Sequence, residues 1–313
     1  MKACIDIGGT KVSVSLSTGS GLELLARRSE PTAKTGTNDA LALQVICMVD
    51  EACAELCITP GEVREAGVSS CGPFVMREGM VEVAAPNICG GIAGPARGLP
   101  NDWQTAVLEA PLRRRFSQLR VENDCVAALE AERRWGALKG FDHCAYVTWS
   151  TGIGMGLCVD GRPLHGKNGN AGHGGHMFVS DNDDALCGCG NIGDLEALVA
   201  GNAIARRFGS DAAALLQAAK GGDAAARVQV DDLCRVMGRA LYNLVATLDL
   251  QRISLGGSVF CKNEGYLLPK LKAEVAGKFP ALTAGCELVG AGLGDRVGDY
   301  AALALLLEDA ATG

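Results

Sequence analysis

Apolar and polar positions alternate over residues 2–17, with Ala3, Ile5 and Ile7 before Gly8-Gly9 and Val12, Val14 and Leu16 after it. Period two predicts two short strands joined at the glycines, a hairpin. A second hairpin is predicted over Tyr146–Asp160, with Ser150-Thr151-Gly152 and then Gly154 and Gly156 at its turn. From Asn38 to Ile58 the spacing of Leu41, Leu43, Ile46, Met48, Val49, Ala52 and Leu56 becomes helical, and Pro60 closes it. Short strands are predicted at Ala66–Ser70, at Leu119–Glu122 and over 253–260, the last running into Gly256-Gly257. Helices are predicted at Val126–Trp135, Ala197–Phe208, Asp211–Ala218, Asp223–Ala226, Val228–Leu248 and Glu264–Val275. A closing helix, Val297–Glu308, is apolar along most of its length and so should be docked. Residues 84–103 form a long Gly/Pro-rich loop, a kind of segment often functional in compact domains. Strands alternating with helices give an α/β protein, and two similar hairpins suggest two related halves.

Composition narrows the class. A chain of 313 residues, 48% hydrophobic and 21% charged, has the makeup of a globular protein large enough for two domains. Its net charge of −7 argues against a nucleic-acid or anionic-membrane surface, so no nucleic acid and no membrane are expected as partners. No apolar run reaches the ~18 residues of a membrane span, and the chain starts directly in a strand, without a signal-peptide pattern. Fourteen cysteines without framework spacing read as reduced thiols of a cytoplasmic protein, mostly small core hydrophobes.

Candidate chemistry gathers in three places. In the first hairpin, Asp6, Thr10 and Lys11 bracket Gly8 and Gly9. Open backbone N–H groups beside a hydroxyl and an ammonium suit a phosphate, and the acid suits its Mg²⁺. A plain structural turn is the alternative. Thr151 and Gly152 repeat this design in the second hairpin, and two such clamps suggest a nucleotide held between domains. Gly256 and Gly257 would let an adenine or ribose approach the backbone, unless they serve strand-to-helix packing alone. Asn123-Asp124 ends a strand, where ligands of α/β proteins sit, although Asp124 would also serve as a simple helix N-cap. Asn87 and Asn101, each after a proline, place amides on the long loop. Finally, His165, His173, His176, Cys187 and Cys189 surround a carboxylate run at Asp181–Asp184, and these residue types form the zinc ligand set.

Taken in order, DIGGTK (6–11), ND (123–124), STGIGMG (150–156), AGHGGH (171–176), CGCGNIGDLE (187–196) and LGGSVF (255–260) resemble the ROK family of repressors, open-reading-frame proteins and sugar kinases. The resemblance implies a two-domain actin-like (ribonuclease H-like) ATPase fold with a central cleft. Its small domain would comprise residues 1–122 plus 297–313, its large domain 123–296. It further implies ATP with Mg²⁺ as phosphoryl donor and a hexose or hexose-like ring as acceptor, phosphorylated on its 6-OH or an equivalent hydroxyl. Asp124 falls at the family's general base, and Asn123, His176 and Glu196 at sugar-contacting positions; Asn101 is assigned to the substrate as well. Asp6, Gly8, Gly9, Thr10, Lys11, Thr151, Gly152, Gly256 and Gly257 fall on the ATP side. His176, Cys187 and Cys189 fall at structural zinc positions.

Two residues depart from the family pattern. Asp194 stands where the third zinc-binding cysteine would be; its oxygen can serve as a ligand, and loss of the metal is the alternative. His173 replaces the usual sugar-binding glutamate, exchanging a two-acceptor carboxylate for an imidazole with one donor and one acceptor. That change, with a loop longer than the family's, admits an amino sugar or a C7-cyclitol as substrate; nothing basic singles out polyphosphate as donor. A sugar-responsive transcriptional regulator is the competing class, but a DNA-binding segment would have to precede a hairpin that already begins at Asp6. A hydrolytic zinc site is the other, and no HExxH-type pattern occurs. A homodimer or homotetramer is expected from the family.

Overall fold

The computed structural model describes residues 1–19, 21–94, 97–181 and 185–307. Residues 182–184 of the acidic run and the predicted end of the last helix at Glu308 lie outside the described residues. The chain divides into two compact units, Met1–Ala131 with His165–Ala171 and Arg296–Gly313, and Glu132–Leu164 with Gly172–Asp295.

In the first unit, strands β1 (Lys2–Ile7), β2 (Lys11–Ser17), β3 (Leu25–Pro31) and β4 (Glu65–Ser70) are followed by β5 (Phe74–Arg77), β6 (Met80–Val83), β7 (Ala106–Val107) and β8 (Gln118–Asn123). The main sheet has the order β3-β2-β1-β4-β8, and β5-β6-β7 form a separate small sheet. β1 and β2 form the predicted antiparallel hairpin, while β1, β4 and β8 run parallel. Helix α1 (Ala40–Glu55) buries Leu41, Ala42, Val45, Met48, Val49, Ala52 and Cys53 against this sheet. The predicted stripe was therefore rotated: Leu43 is 51% exposed, and the true face follows the 41/45/48/52 spacing. Helix α2 (Glu109–Arg115) precedes β8, and α3 (Asp124–Trp135) follows it.

The C-terminal helix, Val297–Ala304, packs on β4 so closely that a Cβ on Gly67 would lie 2.2 Å from the Ala302 carbonyl oxygen. This contact explains a glycine in the middle of a buried strand. The long loop is also packed, with Ile88, Cys89 and Trp103 buried and the Trp103 indole N–H donating to Gly36 O at 3.2 Å.

The second unit is built on β9 (Cys144–Trp149), β10 (Ile153–Val159), β11 (Arg162–Pro163), β12 (Arg252–Gly256) and β13 (Glu287–Gly290), in the order β11-β10-β9-β12-β13. β9 and β10 are the second predicted hairpin. Its helices are α4 (Leu195–Val199), α5 (Gly201–Phe208), α6 (Ala212–Gly221), α7 (Ala224–Leu248), α8 (Ser258–Cys261), α9 (Glu264–Ala276) and α10 (Pro280–Thr283). The two helices predicted at 223–226 and 228–248 are one continuous α7, capped by the Asp223 carboxylate accepting from Ala226 N. No proline or glycine separates them, so helical hydrogen bonding has no reason to stop.

Glu132, wholly buried, accepts from Ser254 Oγ and from the N–H groups of Ala137, Gly292 and Leu293. A buried carboxylate this fully hydrogen-bonded ties the end of α3 to β12 rather than destabilising the core. All fourteen cysteines are free thiols, eight of them buried. Among the described residues, no helix is long and apolar enough to cross a membrane.

Candidate active site

In the first unit, the candidate residues collect at the carboxyl ends of three parallel strands. Asp6 on β1, Ser69 on β4 and Glu122 on β8 stand in register, and the next row is Ile7, Ser70 and Asn123. The Ser69 hydroxyl donates to Asp6 Oδ1 at 3.1 Å. Burial, reinforced by the Asp124 charge, pushes the Asp6 carboxyl from 3.8 to about 6, against the pull of Ser69 and Lys11. Burial likewise raises Asp124, while hydrogen bonds from Cys125 and Asn123 draw it back. Two half-buried carboxyls, Asp124 disfavouring the charge of Asp6, leave a place for a proton or a cation.

Asp124 opens α3, but it shares the capping work: Cys125 N donates to Asn123 Oδ1 at 3.0 Å and to Asp124 Oδ1 at 2.8 Å. Asp124 Oδ2 has no part in that cap.

The first glycine turn is shaped by its own backbone. Gly8 N donates to Lys11 O at 2.9 Å, and the Thr32 hydroxyl donates to Gly8 O at 2.7 Å. Thr10 and Lys11 are exposed beside it. A Cβ on Gly9 would fall 1.8 Å from Asn87 Nδ2, so the exposed Asn87 amide lies directly over the turn.

Asn101, expected at the substrate, is engaged by the chain around its own loop. Its Oδ1 accepts from Gly90 N at 2.8 Å and Trp103 N at 3.2 Å, and its Nδ2 donates to Lys34 O at 2.9 Å and Ile88 O at 3.0 Å. The amide is spent bracing the loop. Exposed Asn87, which follows the other proline, is the amide placed at the turn.

The stretch around the histidines separates into distinct parts. His165 pairs with Glu122 of the first unit, Nδ1 to Oε2 3.1 Å, and this bond raises its pKa. His176, Cys187, Cys189 and Asp194, all in the second unit, bring one donor atom each to within 4.8 Å of one another. His176 Nδ1 lies 3.1 Å from Asp194 Oδ2, 3.8 Å from Cys187 Sγ and 3.6 Å from Cys189 Sγ; Cys189 Sγ is 3.7 Å from Asp194 Oδ2. A tetrahedral zinc with Zn–S of about 2.3 Å and Zn–N or Zn–O of about 2.0 Å requires donor separations of about 3.3–3.8 Å. Three of the four separations above lie in that range and the His176–Asp194 pair just below it, so the donor set is compatible with that ion. Burial opposes ionisation of Asp194, but the His176 and Ala197 N–H bonds outweigh it and hold its carboxyl below the ordinary value.

His173 stacks near His176, ring centroids 6.3 Å apart. Its Nε2 is buried without a hydrogen-bond partner, and burial followed by the neighbouring His176 lowers its pKa. A neutral imidazole with an orphan nitrogen is a ready contact for one ligand hydroxyl or amine.

Glu196, on α4, accepts from Ile153 N at 2.9 Å, directly after the Thr151-Gly152 turn. That turn and Ser258 line a pocket of about 600 Å³ with Gln217, Lys220, Lys262 and Asn263. These last four were not anticipated, because lysines and amides on helix surfaces carry no sequence signal of a shared pocket. The space over Gly256 and Gly257 is taken by β9: added Cβ atoms would meet Tyr146 Oη and Trp149 O, each at 2.5 Å. Packing therefore requires both glycines, whatever binds beside them.

A model of the ROK family matches residues 2–309. The chain belongs to the ROK family. It is similar to the glucokinase of Aeropyrum pernix, 30% identical over 96% of this chain and 95% of that enzyme. It is also similar to the N-acetylmannosamine kinase of Salmonella paratyphi B, 33% identical over 84% of each chain. The crystal structure of a ROK hexokinase from Thermus thermophilus matches with a TM-score of 0.72 at 31% identity, over 98% of each chain. The fold is thus the actin-like ATPase fold of ROK sugar kinases.

Proposed function

We propose that this ROK protein transfers the γ-phosphoryl group of ATP to a hydroxyl, the 6-OH or its equivalent, of a hexose or hexose-like ring, with Asp124 as general base. That it is an ATP-dependent sugar kinase rests on the family and on full-length likeness to a glucokinase and a hexokinase. The observation that carries the finer reading is the Asp6–Asp124 corner: two half-buried carboxyls with raised pKa values at the ends of parallel strands.

Phosphoryl transfer asks a protein for positioning, charge neutralisation and one proton acceptor. Asp124 would accept the ring hydroxyl's proton as that oxygen attacks phosphorus, and its raised pKa brings it closer to the working pH of a base. Asp6 would hold Mg²⁺, which neutralises phosphate charge when bound. Thr10, Lys11 and the Gly8-Gly9 backbone, with Thr151 and Gly152, would receive the phosphates, and the pocket beside Ser258 the nucleoside. Asn87, Asn123, His173, His176 and Glu196 are assigned to the ring. Zn²⁺ would be held by His176, Cys187, Cys189 and Asp194 and would shape the loop. A cytoplasmic setting belongs to the same reading, because Cys187 and Cys189 must stay reduced to act as ligands.

One observation favours a second substrate class, an amino sugar or a C7-cyclitol. His173 presents a single unpartnered nitrogen where a carboxylate would offer two acceptors. An ATP-consumption screen over hexoses, N-acetylhexosamines, free amino sugars and cyclitols separates the two. With the best substrate, Asp124→Asn should lower kcat by about 10²–10⁴-fold while leaving ATP and ring binding nearly intact. A variant with near-normal kcat would remove Asp124 from the role of base.

A further inference from the structure

We propose that the ion held by His176, Cys187, Cys189 and Asp194 fixes the backbone of the Ser150–Ile153 turn, gripping it from two sides, so that metal occupancy sets nucleotide affinity. The inference rests on the reading that this turn receives the nucleotide.

The first grip runs through Asp194, whose two oxygens do different things. Oδ1 accepts from Ala197 N at 2.8 Å and caps α4, while Oδ2 faces His176 and Cys189 in the ion site. One side chain thus joins the metal cluster to the start of a helix. Two residues on, Glu196 places Oε2 2.9 Å from Ile153 N, with Oε1 3.7 Å from Cys187 Sγ. A Cβ on Gly152 would lie 2.7 Å from that same Oε2, so the turn must be glycine for the carboxylate to reach it.

The second grip is the glycine segment that ends in the ligand His176. It lies flat on β10. Added Cβ atoms at Gly172 and Gly175 would fall 1.9 Å from Met155 O and 2.3 Å from Ile153 O, and Met155 N donates to Gly172 O at 2.9 Å. Ile153, the first residue after the turn, is therefore held at its N–H by Glu196 and pressed at its carbonyl by Gly175. Both holders lead directly to metal ligands, Asp194 and His176.

Without the ion, the segment between those ligands loses its common anchor, and the spacing of Glu196 and Gly175 about Ile153 is no longer enforced. A turn that must order itself to receive phosphate then binds it more weakly, and by linkage nucleotide must tighten metal binding by the same factor.

The test uses the full chain, Asp194→Asn and Asp194→Cys. Asparagine keeps the capping oxygen and gives up the anionic ligand; cysteine keeps a thiolate ligand and gives up the cap. Three quantities are measured: zinc per chain by elemental analysis, hydrogen exchange of the 150–153 amides, and affinity for a non-hydrolysable ATP analogue by calorimetry. The parent protein and Asp194→Cys should carry about one zinc, with similar turn protection. Asp194→Asn should lose the ion, exchange faster at 150–153 and bind the analogue about tenfold more weakly, within the usual range of such couplings. Metal-free Asp194→Asn with unchanged exchange and affinity would overturn the proposal, as would a parent without metal. If the analogue failed to bind even the loaded parent, the nucleotide reading and the link to affinity would both fall. Metal-dependent exchange at the turn would then identify the nucleotide assignment, not the clamp, as the error.

Discussion

Asp6 is held in a state that costs stability, and the cost can be read from its surroundings. Its carboxyl is pushed from 3.8 to about 6, first by burial and then by Asp124. Between those values the folded protein binds a proton that the unfolded chain has released. Stability therefore falls as pH rises through this window, and the full penalty is present above about pH 6. At about 1.4 kcal/mol per pH unit, the step from 3.8 to about 6 is at most about 3 kcal/mol. Asp6→Asn removes the charge and keeps an oxygen in place to accept the Ser69 hydroxyl.

The variant should thus be more stable than the parent at pH 8, by up to about 3 kcal/mol, and no more stable near pH 4. In a scanning melt this corresponds to a rise of up to about 6–10 °C. The assay compares melting and urea unfolding of both proteins across pH 4–8, without nucleotide or divalent cation. Added Mg·ATP should then stabilise the parent more than the variant, and the variant should turn over poorly, because the cation has lost its anchor. A variant equally stable at pH 8, or a gain that ignores pH, would refute the account of Asp6 as a strained, functional carboxylate.

Other substitutions separate bracing from binding. Asn101→Ala breaks four hydrogen bonds of the 88–103 loop and should cost about 1–3 kcal/mol of stability, whereas Asn87→Ala should leave the unfolding curve unmoved and raise the KM for the ring. His173→Ala removes one neutral contact and should raise that KM by about 2- to 10-fold without loss of melting temperature, since the nitrogen it deletes has no protein partner. An unchanged KM for the best substrate would take His173 out of the ring site.

Much of this could be read in the sequence wherever a periodic pattern coincides with burial. Both hairpins were visible because each sets two largely apolar strands about a glycine turn. The helix at 40–55 was visible too, with Leu41, Met48, Val49 and Ala52 of its buried face but not Ala42, Val45 or Cys53. Leu43 and Leu41 are equally apolar as letters, and only packing on the sheet decides which is covered. Strands of two to four residues such as β7, β11 and β13 escaped notice, being too short to show a period. The four candidate metal-binding groups came from the family resemblance, and in the structure they stand together without His165.

Asn87 and Asn101 show where the reading had to fail. Each follows a proline in the same loop, and nothing local distinguishes them. What separates them is distant chain: Lys34 and Ile88 offer carbonyls that saturate Asn101, while Gly9, far along the sequence, leaves the space that Asn87 occupies. The same holds for Asp194. The sequence offered it only as a stand-in for the third cysteine, and its capping of α4 went unforeseen. In the structure Oδ1 accepts from Ala197 N, while Oδ2 lies 3.1 Å from His176 Nδ1. A cysteine there would lose the cap, whereas Asp194 caps α4 through Oδ1 and leaves Oδ2 among His176, Cys187 and Cys189.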